Sequence, residues 1–172
     1  MIETRRKHRW VFETLGRGAG TFSQAELLLL KAASRPKFKY KQVEMNHNQE
    51  VARFAGPQSF EPISLSWYDG QQNPDVSKGI YVWIETVTNM HSIKVAAPTF
   101  YKRTGSLSMI DGAGLVDENW TLYGSWPSDV DWGKLEYTSA DIQSIDVTLC
   151  YDRAIRNCVN AAAPQPVVPN CV

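Results

Sequence analysis

The 172-residue sequence predicts a mainly β fold with one α-helix, on three observations. Apolar and polar residues alternate with period two along most of the chain. One central segment switches to helical spacing, and polar turn formers separate the alternating runs. A chain this long is one domain, and folding can bury roughly 68–70% of its unfolded surface. With 43% hydrophobic residues, six Trp, seven Tyr and six Phe, it is not a disordered chain.

The alternating runs give seven or eight strands. Trp10 and Phe12 alternate with Val11 and Glu13 in the first. Leu27 to Leu30 is apolar on both faces, which predicts a strand covered on both sides, the second cover being another subunit. Val43 and Met45, then Ile63, Leu65 and Trp67, then Leu107 and Met109 each alternate with polar neighbours, as do Trp120 and Leu122. The last strand places Ile145, Val147, Leu149 and Tyr151 on one face and Ser144, Asp146, Thr148 and Cys150 on the other. Val76, Ile80, Trp83, Ile84 and Val87 fall at helical spacing after Pro74-Asp75, with Ser77 as an N-cap candidate. A strand through Ile80, Val82 and Ile84 is the rival reading, because β-branched residues weaken a helix. After Asp152 the composition turns Pro- and Ala-rich, so residues 1–152 are read as the β domain and 153–172 as an extension.

Eighteen basic residues balance eighteen acidic ones. That argues against a dedicated nucleic-acid or membrane-surface binder and suits a protein that lives in an assembly. The basic N-terminus (Arg5, Arg6, Lys7, Arg9) is followed by no apolar leader, so the chain is expected to fold in a cytoplasm, where disulfides do not normally persist. Cys150, Cys158 and Cys171 allow at most one pair within the chain, and no short spacing of Cys or His suggests zinc.

The remaining motifs carry no catalytic chemistry. Gly16-Arg-Gly-Ala-Gly20 lacks the spacing of a phosphate loop and reads as a hairpin connection. Asp129-Val-Asp131-Trp-Gly133 has its Gly too early for a calcium loop and reads as a turn. Lys37-Phe-Lys-Tyr-Lys41 reads as a loop touching another subunit rather than a nucleic-acid stack. The expected chain is no enzyme and needs no cofactor or metal. The strongest local signal is Leu122-Tyr-Gly-Ser-Trp-Pro127. Pro127 forces Trp126 to be extended and Gly124 admits a bulge, so Gly124, Trp126 and Pro127 are expected to end a strand in a sharp corner.

That corner, a loop and then Ile142-Gln-Ser-Ile-Asp-Val-Thr-Leu-Cys-Tyr-Asp152 together resemble the C-terminal signature of contractile-phage tail tube proteins. The match is close over residues 117–152; upstream, only the order of elements agrees. The resemblance implies two antiparallel sheets forming a small β-barrel or sandwich with one helix. It also implies hexameric rings that stack into a tail tube, inside a sheath and between baseplate and tail terminator. The lumen of such a tube passes DNA and a length-setting tape-measure protein. The chain would be a virion tail component assembled in the bacterial host cytoplasm, and Leu27, Leu28, Leu29 and Leu30 become a candidate subunit interface. Type VI secretion and tailocin tubes share the fold.

The sequence departs from the family in its final residues. Cys150, Cys158 and Cys171 are candidates for disulfides between subunits or to the sheath once lysis exposes the particle to oxidant. A Cys158–Cys171 loop with Cys150 free, or three reduced thiols, are the alternatives. A second function of a different class is a monomeric β-sandwich that binds carbohydrate through Trp120, Trp126 or Trp132. Self-association without ligand distinguishes the tube from the module.

Overall fold

The computed structural model describes residues 6–17, 20–47, 50–70, 75–138 and 140–157. Its largest unit is an eight-stranded antiparallel sheet folded into two layers. One layer holds β1 (Trp10–Arg17), the short β2 (Gly20–Thr21), β9 (Arg103–Ile110), the first part of β10 (Val116–Asp131) and β12 (Arg153–Asn157). The other holds the last part of β10 with β11 (Ser144–Cys150), β6 (Ile63–Tyr68) and β3 (Leu30–Ala33). The path runs β2-β1-β9-β10-β11-β6-β3 without closing, so the sandwich keeps free edges. Two further pairs stand apart: β4 (Lys37–His47) with β5 (Glu50–Glu61), and β7 (Thr88–Asn89) with β8 (Lys94–Val95).

The period-two runs do what the alternation requires. Phe12, Leu15, Leu107 and Leu122 from one layer meet Ile63, Leu65, Trp67, Ile145, Val147 and Leu149 from the other in one core. Ser144, Thr148 and Cys150 lie on the opposite face of β11 with exposed Asp146, as expected. On the outer face of the first layer a polar ladder crosses four strands. Glu13 accepts from Ser106 and Ser108, Asn119 donates to the same two hydroxyls, and Asn157 donates to Asn119 and Thr121. Buried polar side chains tied to one another in this way penalise any shift of strand register.

Among the described residues three helices replace the expected one. The helical spacing over residues 76–87 is correct: α2 (Val76–Val87) buries Val76, Ile80 and Trp83. Its cap is Asp75, which accepts from the Lys78 amide, while Ser77 donates to Asp75 instead of capping. Trp83 is fully buried, packs edge-on against Phe22 and donates its indole N–H to the Tyr101 carbonyl in α3 (Pro98–Tyr101). Truncating such a ring to alanine costs about 3–5 kcal/mol.

The leucine run is the main correction. Leu27 and Leu28 belong to α1 (Gln24–Leu28), Leu29 is its C-cap, and only Leu30 enters β3. Ser23 and Glu26 form a capping box, with two orphan groups satisfied reciprocally, and this turns the chain into a helix before the leucines can extend. The Ser-x-x-Glu spacing was the available signal. Two other expectations shift. Lys37 to Lys41 is strand, not loop. The segment expected to open the extension, residues 153–157, is β12, whose Ala154 packs on the core. Residues 158–172 lie outside the described residues.

Candidate assembly surface

The β4–β5 hairpin gathers six exposed large apolar side chains. Among the described residues its strands pair only with each other, from Lys37 opposite Glu61 to His47 opposite Glu50. At its base Phe60 meets the Tyr151 ring at 5.6 Å, and the Tyr151 hydroxyl donates to the Lys37 carbonyl at 3.3 Å. Burial pushes the Tyr151 phenol above its ordinary value. Beyond the base both faces are solvent-facing. Phe38 is 55% exposed, and the cross-strand partners Val43 and Phe54 are 48% and 53% exposed. Tyr40, Met45 and Val51 add to the surface. Ion pairs Lys37–Glu61 and Glu44–Arg53 bridge the strands beside these greasy side chains. At the bulge between Tyr40 and Gln42, a Cβ on Gly56 would sit 2.6 Å from the Lys41 carbonyl oxygen, which leaves room for glycine alone.

The predicted corner exists but does not end a strand. β10 continues through it and changes partners, from β9 and β12 before it to β11 after it. Pairing with β9 skips between Leu122 and Ser125, and pairing with β11 skips between Pro127 and Asp129. The left-handed Gly124 lies within the first irregularity and the second follows it, and together they bend one strand from layer to layer, the device by which sandwiches turn corners. Trp126 packs edge-on against Tyr101 at 5.9 Å.

The other candidates are dispersed. Leu27 lies in the core, Leu28 is 77% exposed, and Leu29 and Leu30 are partly buried, so Leu28 alone of that run is exposed. Cys150 is partly buried and unpaired on the outer face of β11; Cys158 and Cys171 lie outside the described residues. The three Trp proposed for sugar stacking form no common platform. Trp120 packs on the core, Trp126 on Tyr101, and Trp132 alone is exposed, at 39%. Gly133 donates its amide to Asp131 in the expected turn. Among the described residues no group of three or more His, Cys, Asp and Glu side chains could hold a metal, and no helix is long and apolar enough to cross a membrane.

Two layers joined by one bent strand, a helix over the core and a projecting hairpin are a recognisable combination. The tube-terminating cap of the anti-feeding prophage superimposes with a TM-score of 0.70 at 17% identity, over 92% of this chain and 94% of that one. The two chains share a fold. The sheath/tube terminator of an extracellular contractile injection system (PVC) matches this fold with a TM-score of 0.69 at 16% identity, over 92% and 99% of the two chains. A chain of the anti-feeding prophage baseplate matches at 0.67 and 13% identity, over 91% and 97%. No family model and no curated protein matches the sequence.

Proposed function

We propose that the chain is a non-enzymatic structural subunit of the tube of a contractile tail or related injection particle, at its repeating rings or at an end ring. Six copies close each ring, and stacked rings form a conduit for DNA and a tape-measure protein. A sheath surrounds the tube, with baseplate and terminator at its ends. The particle is assembled in the bacterial cytoplasm and carries the chain in its tail. Cys150, Cys158 and Cys171 remain candidates for cross-links between subunits or to the sheath; non-reducing gels of particles showing only monomer would dismiss them.

The β4–β5 hairpin carries this reading. A lone two-stranded hairpin is marginal in water, and one with exposed Phe38, Val43 and Phe54 gains its stability when another copy covers it. The free edges of the open sandwich point the same way, since ring closure removes an edge that would otherwise recruit strays. The resemblance in fold to tube-terminating chains agrees with it. Negative-stain electron microscopy of the concentrated protein tests the proposal. Six-fold rings or hollow tubes are expected. A monomer at every concentration, also when mixed with baseplate fragments to seed growth, would overturn it.

A further inference from the structure

We propose that residues 158–172 dock, in the same molecule, along the groove between the edges of β1 and β3. This groove of about 420 Å³ has an apolar floor of Trp10, Leu107, Met109, Ala32 and Ala33. Its rim carries Arg6, Lys7, Lys31 and Arg35. Both walls are strand edges: among the described residues β3 pairs only with β6, and β1 meets β2 only at Gly16 and Arg17, with no partner on its outer edge beyond those residues.

The last described residue, Asn157, lies three strands from β1. Register places Asn157 opposite Asn119, Asn119 opposite Ser108, and Ser108 opposite Val11, so β12 ends level with the start of β1. A single buried carboxylate joins the two places. Glu118, 1% exposed, accepts from Arg35 on the groove rim at 2.6 Å and lies 3.8 Å from Arg156, next to the last residue of β12. Fifteen residues in an extended form reach about 45–50 Å, several times the spacing across those strands.

The chemistry of the two partners matches. Residues 158–172 contain no charged side chain, and Val159, Val167, Val168 and three alanines supply apolar surface. Pro164, Pro166 and Pro169 carry no backbone N–H, which leaves carbonyl acceptors in excess. A rim of Arg and Lys offers donors and no acceptors, and a Trp on the floor is the surface on which proline-rich segments lie. Docking would cover core-facing side chains that the open sandwich leaves uncovered.

Benzophenone-maleimide attached to Cys171 of the full chain, with Cys150→Ser and Cys158→Ser, tests the inference. After irradiation, mass spectrometry is expected to place insertion within residues 6–10, 31–35 or 107–109. A mixture of ¹⁴N and ¹⁵N protein should give no mixed-isotope adducts, and Val167→Asp with Val168→Asp should lower the yield about tenfold or more. Insertion scattered over the surface, or a yield indifferent to the two aspartates, overturns the inference. Mixed-isotope adducts also overturn it and assign the groove to a neighbour's segment. Because the site is mapped chemically, the result stands whether or not rings form.

Discussion

A Cβ on Gly124 would lie 2.2 Å from the Asp152 carboxylate, so the bend in β10 and the start of β12 are built against each other. Gly124 sits at φ +67°, Lys102 grips both Asp152 oxygens at 2.6 and 2.8 Å, and the Asp152 amide donates to the Tyr123 carbonyl. One residue without a side chain thus lets a strand change layers and the last strand dock beside it.

Gly124→Ala is expected to destabilise the domain by about 2–3 kcal/mol, combining left-handed strain with displacement of Asp152. Urea unfolding checks this. An alanine variant within 0.5 kcal/mol of wild type, a margin of about one surface substitution, would contradict the packing.

Glu26 is the anchor of α1. It accepts from the Ser23 amide at 2.6 Å, the Ser23 hydroxyl at 2.7 Å and Arg17 at 2.6 Å, while itself 5% exposed. Glu26→Ala strands those donors, and the expected loss is about 2–4 kcal/mol. Because α1 feeds β3, hydrogen exchange in Leu30–Ala33 should quicken more than in β9.

Asp69 makes stability depend on pH. Burial first, and the Asp75 carboxylate second, raise its pKa above 3.8, and its Oδ1 is buried without a hydrogen-bond partner among the described residues. The folded state therefore keeps this proton to higher pH than the unfolded chain, and Asp69 costs stability as pH rises from 3.8 through the raised value. Asp69→Asn should move the urea midpoint up at neutral pH, with the gain shrinking on acidification. Asp75 has the opposite sign: the Lys78 amide, then the Ser77 hydroxyl, lower its pKa, so its contribution is lost as pH falls through that lowered value. A gain from Asp69→Asn that is constant with pH would refute the assignment.

The hairpin separates assembly from folding. Val43→Lys with Phe54→Asp alters exposed positions outside the core and sets opposite charges across the pair, so thermal stability of the isolated chain should stay within about 0.5 kcal/mol per site. Ring or tube formation, read by sedimentation velocity and electron microscopy, should be lost. Unimpaired assembly would remove the hairpin from the subunit interface.

Local pattern alone determined much of this protein. Alternation places Ile145, Val147, Leu149 and Tyr151 inside, spacing places Ile80 and Trp83 on the buried face of α2, and Gly124 with Pro127 announces a bend. These are short-range properties, set by side-chain periodicity and by backbone angles that few residues adopt. What pattern left undecided needed contacts between distant residues. Whether Leu27–Leu30 extends or coils depends on Glu26 finding Arg17 as well as Ser23. Whether β10 stops at its corner depends on β11 and β12 waiting on either side of the bend. Whether residues 153–157 trail away or pair depends on Asn157 finding Asn119, thirty-eight positions earlier. Such choices are made by burial and hydrogen bonding across the fold, which single-strand patterning does not encode, so only the tertiary structure decides them.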